Sequence, residues 1–233
     1  MSETITINGL VFHVQHNKRK TVTIAIERDD RVVIHAPLNA THERLAQIAQ
    51  RRARWVHSKR QIKREHYQRS KPKEFVSGEG FYYFGKSYRL RLIEPPGSTR
   101  TPSLRLHGMW FELRANVREH AATHFARWYA EHGQEWIESR AAIFAKRIGT
   151  KPTAIHIRNL GNRWASCGRR GNLNFHWRVV CLPPSIIEYI VAHELVHLIA
   201  RHHGKEFWRL LERAMPDYAQ RKKWLAENGD RYF

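Results

Sequence analysis

Acidic residues, cysteine and long apolar runs are all scarce in this chain. It carries 21 Asp and Glu against 41 Lys and Arg in 233 residues, a formal net charge of +20 with histidine neutral. A field of that sign attracts polyanions such as nucleic acid or nucleotides, so non-specific nucleic acid is an expected partner. A basic surface can equally be solvated and nothing more, and no recognised nucleic-acid motif accompanies this charge. The only cysteines are Cys167 and Cys181, too few for a disulfide framework in a chain this long, and a reducing cytoplasm fits them best. No stretch approaches the ~18 consecutive apolar residues of a membrane span. The opening "MSETITINGL" lacks the basic region and apolar run of a signal peptide. A membrane is therefore not an expected partner. Material for a core is ample: 42% of residues are apolar, with eight Trp, ten Phe and eight Tyr, which sets disorder aside.

The pattern of apolar residues reads as α+β. "ITINGLVFHVQ", "TVTIAIE" and "VVIHAP" alternate as strands do, and "RDDR" between the last two reads as a hairpin turn. From Thr41 the period becomes helical: Leu45, Ile48, Ala49, Arg52, Trp55 and Val56 share one face. The other face is basic, with Arg44, Arg51, Arg54, Lys59, Arg60, Lys63 and Arg64. "QRSKPKEFVSGEG" is the best linker, and "FYYFGKSYRLRLIE" and "SLRLHGMWFELR" follow as strands around the loop "PPGSTRTP". A second long helix is expected from about Val117 to Ile148. Short strands then return in "AIHIRNLG", "RWASCG" and "NLNFHWRVVCLP". The two early strand-then-helix blocks amount to a vague repeat.

The chemistry gathers in "PPSIIEYIVAHELVHLIARHHG". Ser185 and Glu188 fit a capping box at a helix start. Ile186, Ile187, Ile190, Val191, Leu195, Val196, Leu198 and Ile199 make this helix apolar nearly all round, so it belongs inside. His193 and His197 lie one turn apart and about 40° around the axis, so both imidazoles can reach one cation. Glu194, beside the first histidine, can work as a base without becoming a ligand. This is the H-E-x-x-H arrangement of zinc metallopeptidases. Two buried histidines and a glutamate would be costly without something to satisfy them, and a metal does so.

A zinc site of this kind needs a third protein ligand. His203 would be about 240° off the metal face in an unbroken helix. It can ligate if the helix breaks near Arg201, where Gly204 would permit a sharp turn. His202, Glu206 and Glu212 are the other candidates. Cys167 could be a nucleophile or ligand, although free cysteine is most often a small buried residue. Tyr189, Phe207 and Trp208 read as packing residues. His156 and His176 sit in strand contexts with no ligand spacing.

The stretch "RWASCGRRGNLNFHWRVVCLPPSIIEYIVAHELVHLIARHHGKEFWRLLERAMPDY" resembles the YgjP-like metallopeptidase-domain family, related to the SprT and WLM zinc proteases. The shared pattern falls on Arg163, Trp164, Ser166, Cys167, His193, Glu194, His197, His203, Phe207 and Trp208, with Ala165 where the family usually has glycine. "VVIHAP…RRARWVHSKRQ" and "YYFGKSYRLRL" extend the likeness over nearly the whole chain. The resemblance implies a zincin-like domain with a small sheet packed on the active-site helix, in residues 116–233. It would follow a β-rich region with one basic helix, residues 1–115, in one compact unit. It also implies His203 as third zinc ligand, Glu194 as catalytic base, and substrate contacts at Arg163, Trp164 and Ser166. Three functions compete. The first is a zinc peptidase acting on peptide or protein. The second is a nucleoside-triphosphate pyrophosphatase, an activity the resemblance also implies. The third is a non-catalytic nucleic-acid-binding protein with structural zinc, which would not need Glu194.

Overall fold

The computed structural model describes residues 3–27, 30–69, 73–94, 102–161 and 163–232, with the backbone alone for residues 62–69. The chain divides into two compact units, Met1–Lys71 and Pro72–Phe233.

The first unit is a four-stranded sheet and one long helix. Thr4–Ile7 (β1), Leu10–Asn17 (β2), Thr23–Ile26 (β3) and Val32–Pro37 (β4) form a sheet in the order β1-β2-β4-β3. Its central pair β2·β4 is parallel and both outer pairs are antiparallel. Alternation decides the buried face: Leu10, Phe12 and Val14 point inward with Ile5, Val32, Ile34 and Ala36. The helix His42–Arg69 (α1) lays Leu45, Ala49, Ala53 and Val56 on that face. Trp55, placed on the packing face by its spacing, is instead 41% exposed, with Ala53 inside. "ITINGLVFHVQ" is also two strands, not one. Asn8 and Gly9 both have positive φ, 50° and 76°, as a two-residue hairpin that matches strand twist requires. The expected "RDDR" hairpin joins β3 to β4, although Arg28 and Asp29 lie outside the described residues.

The second unit repeats this design and then extends it. Gly80–Tyr83 (β5), Lys86–Ile93 (β6), Leu104–His107 (β7) and Trp110–Arg114 (β8) take the order β5-β6-β8-β7, again with a parallel central pair. A 28-residue helix follows, Ala121–Ile148 (α2), as long as the 28 residues of α1. The repeat suspected from the sequence is thus a shared topology. Its second copy turns at Phe84 and Gly85, with φ of 46° and 77°, where the first turns at Asn8 and Gly9.

Beyond α2 the second unit adds Ile155–Arg158 (β9), Ala165–Cys167 (β10) and Leu173–His176 (β11), a three-stranded sheet in the order β10-β11-β9. Three α-helices complete it: Pro184–Val196 (α3), Lys205–Ala214 (α4) and Tyr218–Asn228 (α5). Among the described residues no helix is long and apolar enough to cross a membrane. Cys167 and Cys181 are both free thiols.

The expected division between residues 115 and 116 is corrected by this packing. Phe81 stacks on Phe125 at 4.2 Å, and Phe111 meets Trp128 edge-on at 4.9 Å, so β5–β8 and α2 share one aromatic core. The same α2 packs against α3 and α4. The boundary between the units, after Lys71, falls inside the predicted linker, whose Phe75 already stacks on Phe81 in the second unit's core.

The β5–β6 turn reaches the helix that carries the histidines. Phe84 N–H donates to the Val180 carbonyl at 2.9 Å and Gly85 N–H to the Cys181 carbonyl at 3.1 Å. A Cβ on Gly85 would lie 2.9 Å from Pro183 Cα, whereas one on Gly9 would meet nothing within 4 Å. Gly85→Ala therefore faces two costs, left-handed strain of ~1–2 kcal/mol and overpacking of ~1–3 kcal/mol. Gly9→Ala faces only the first. Urea unfolding of the two variants should show the larger loss for Gly85→Ala, and equal losses would disprove tight contact at Pro183.

Candidate metal centre and catalytic cleft

Helix α3 is held on all sides. Ile186, Ile187, Ile190, Val191, Leu195 and Val196 are buried, and proline at its first position suits a helix start. The expected capping box does not form: the N-cap is Pro183, with no side-chain cap. Glu188 instead faces Arg221 at 3.1 Å and Arg140 at 3.6 Å, since Arg221 and Arg140 outcompete a backbone N–H for its carboxylate. Nor does the helix run on to Arg201. It ends at Val196, where i→i+3 bonds from Leu198 N–H to the Leu195 carbonyl (3.1 Å) and from Ile199 N–H to the Val196 carbonyl (3.0 Å) tighten the last turn. Gly204 is not the turn residue either. With φ −81° and ψ −175° it is ordinary extended backbone that caps α4.

That early stop lets the chain double back. His193, His197 and His203 come together with a ligand nitrogen of each within 4.8 Å of the others. The Nε2 atoms of His193 and His203 are 3.0 Å apart, close to the ~3.3 Å between two nitrogens bound ~2.0–2.1 Å from one tetrahedral zinc. His197 Nδ1 bonds the Ala200 carbonyl at 3.2 Å, which as a donor leaves its Nε2 lone pair free for a metal. Phe207 is fully buried beneath the triad, 4.9, 4.6 and 4.6 Å from the three rings. Trp208 Nε1 ties the His203 carbonyl at 3.1 Å. The packing roles expected of Phe207, Trp208 and Tyr189 fit these contacts, Tyr189 being 5% exposed one turn before His193.

The electrostatics suit a cation. Burial, then the neighbouring His197, His203 and Lys222, pushes His193 down to about 3. Burial also lowers His197. Both rings are therefore neutral and ready to ligate at physiological pH. His193 Nδ1 is buried without a hydrogen-bond partner among the described residues. Three imidazoles make a donor set that fits zinc. Glu194 is 7% exposed. Burial pushes its carboxyl up to about 7, against the opposing pull of the Cys167 backbone N–H.

The family model of the YgjP-like metallopeptidase domain matches residues 20–228. The chain belongs to that family. Among solved structures it is similar to the crystal structure of the metallopeptidase zymogen of Pyrococcus abyssi abylysin, at 24% identity and a TM-score of 0.36, over 40% of this chain and 95% of that one. No curated protein matches it significantly. A YgjP-like metallopeptidase domain implies a divalent metal, and the histidine triad is the group of residues here that could hold it.

In this YgjP-like domain the triad and Glu194 open into a cavity of about 490 Å³, lined also by Ala165, Ser166, Cys167, Arg169, Leu198 and Arg201. Of the three expected substrate contacts only Ser166 lines it. Trp164 packs against the core, and Arg163 is exposed outside the cavity. Glu206, Glu212 and His202 are exposed and stand outside the ligand cluster. The strand β10 itself lines the cleft, and its register decides which backbone groups face out. His176 N–H donates to the Trp164 carbonyl at 2.7 Å and Gly168 N–H to the Asn172 carbonyl at 2.8 Å, so even-numbered residues bond inward to β11. Ala165 and Cys167 turn their polar groups to the open edge. Counting strand register from the "GRRGN" turn would have found them.

Zinc titration should locate the ligands. His203→Ala should weaken affinity by more than the ~10–100-fold typical of losing an outer partner. Glu206→Ala, Glu212→Ala and Gly204→Ser should leave it unchanged. Retained affinity in His203→Ala would remove that histidine from the site.

Proposed function

We propose that this protein is a zinc peptidase in which His193, His197 and His203 hold the metal and Glu194 is the general base. The observation that carries this reading is the convergence of three imidazoles beside a buried carboxyl whose pKa is raised to about 7. Bound there, zinc would supply Lewis-acid polarisation of the scissile carbonyl and a water acidified to about pKa 7. Glu194 would take a proton from the attacking water on a carboxylate oxygen and pass it to the leaving amine. A base matched to the working pH does this best. The free N–H and C=O of Ala165, on the end strand β10, would pair with an extended substrate backbone and hold it across the cleft.

The pyrophosphatase alternative finds less support. Apart from the histidines themselves, the described residues of the cleft lining include no aromatic ring on which a base could stack. No structural role would need Glu194 buried beside the metal, so the non-catalytic reading is weaker still.

Glu194→Gln should keep zinc and lower peptide hydrolysis by about 10²–10⁴-fold. Zinc content, cleavage of a casein digest and release of pyrophosphate from nucleoside triphosphates should be measured together. Activity confined to the nucleotides would reject the peptidase reading, and loss of zinc would make Glu194 a ligand.

Nucleic acid is proposed as a partner of the first unit alone. On α1, Arg44, Arg51, Arg52, Arg54 and Lys59 are exposed around Trp55, a basic face with an aromatic ring within it. Arg60 is committed to Asp30 at 2.6 Å, and the side chains of Lys63 and Arg64 lie outside the described residues. Gel shifts with single-stranded DNA should show binding that weakens steeply with salt. Changing Arg51, Arg52, Arg54 and Lys59 to Ser should abolish most of it, and equal binding by both proteins would clear this face of the role.

A further inference from the structure

Two arginines line the metal cleft, and the proposed hydrolysis uses neither. Arg169 comes from the β10–β11 turn and Arg201 from the segment between α3 and α4. Both are exposed, and among the described residues neither makes an ion pair. Glu194, the one carboxylate lining the cavity among the described residues, is buried behind them. The cleft therefore presents two exposed guanidiniums to whatever enters it.

Both arginines stand on built backbone. The β10–β11 turn closes through Gly168, where a Cβ would lie 2.3 Å from the Asn172 side chain, and Gly171, with φ +80°. Thr153 clamps the turn from outside: its N–H donates to the Gly171 carbonyl at 3.0 Å and its hydroxyl to the Arg170 carbonyl at 3.1 Å. Arg201 follows Ala200, whose carbonyl accepts from His197, so its backbone is fixed by the metal site. The two also serve the same end of the cleft. The charge on Arg201 is felt at Cys167, the last residue of β10, and Gly171 lies against Leu198. At the back of the site Lys222 sits 4.1 Å over the Trp208 ring and adds a third positive charge.

We infer that Arg169 and Arg201 form an acid-binding subsite at the turn end of the cleft, and that the enzyme selects peptides carrying a carboxylate there. This rests on the peptidase reading above. A strand lying along Ala165 and continuing past Cys167 brings its next residues beside these guanidiniums. A planar fork of N–H donors suits a carboxylate. The carboxylate is supplied either by an Asp or Glu side chain or by the peptide's own C-terminus.

The test uses the full-length zinc protein and quenched fluorescent decapeptides with Glu, Gln or Lys scanned through each position, each made as free acid and as C-terminal amide. Cleavage is followed with wild type, and binding by anisotropy with the zinc form of Glu194→Gln, which reads the subsite without hydrolysis. Glu peptides should be preferred over Gln peptides by about 5- to 30-fold, the scale of two exposed ion pairs, and the preference should shrink in 0.5 M salt, where the Debye length is only a few ångströms. Arg169→Gln/Arg201→Gln should lose the preference while keeping its zinc, and Arg169→Glu/Arg201→Glu should favour Lys. A preference for Glu over Gln that survives amidation assigns the carboxylate to a side chain, and a preference for free acid over amide shown alike by Glu and Gln peptides assigns it to the terminus; either supports the subsite. Cleavage with no preference for Glu over Gln and none for free acid over amide overturns the subsite and leaves the peptidase standing. Arginine-dependent binding of Glu peptides with no cleavage by wild type keeps the subsite and rejects the peptidase. No binding of any peptide overturns both.

Discussion

One constraint organises the second unit around its cleft: three imidazole nitrogens meet where the largely buried helix α3 opens into the cavity. Two of them sit on one face of α3, a turn apart. The third can arrive only if the helix stops immediately after His197 and the chain folds back within six residues. The i→i+3 bonds after Leu195 and Val196 make that stop, and Trp208 Nε1 on the His203 carbonyl secures the return. Phe207, beneath all three rings, fills the space their convergence would otherwise leave empty. A cluster of buried nitrogens is costly unless neutral and satisfied. Burial itself supplies the neutrality by lowering the His193 and His197 pKa values.

The same burial acts in the opposite sense on Glu194. An apolar surrounding disfavours the charged form of either group, so it makes the histidines better ligands and the carboxylate a stronger base. One physical cause thus prepares both halves of the chemistry. The scaffold for this lies in the second copy of a four-stranded, one-helix design. Its helix α2 packs on its own sheet through Phe125 and Trp128 and also against α3 and α4. In the first copy the corresponding helix keeps its outer face in solvent, and that face is basic. A repeated topology has therefore been put to two uses, decided by whether the far side of the helix is apolar or charged.

Much of this was legible in the chain itself. The apolar helix with His193, Glu194 and His197 needs only the 3.6-residue period, because a helix places such residues by local geometry. The alternating strands, the long α2 and the linker before β5 follow from patterns equally local. Where local reading failed, a competing contact explains it. Glu188 suited a capping box until Arg221 and Arg140 reached it, and "ITINGLVFHVQ" passed as one strand because its alternation hid the Asn8–Gly9 turn.

The sequence by itself determined the histidine pair and the glutamate proposed as ligands and base, and the excess of positive charge, since each depends on residue type and short-range spacing. Only the tertiary structure decided that α3 ends at Val196 and that His203 stands beside His193 while His202, Glu206 and Glu212 do not. It alone also put Ala165 rather than Ser166 on the open backbone edge, and Arg169 and Arg201 around one cavity. The physical reason is the same in each case: these residues come from separate segments, and what they meet is set by packing over long range, which no local period encodes.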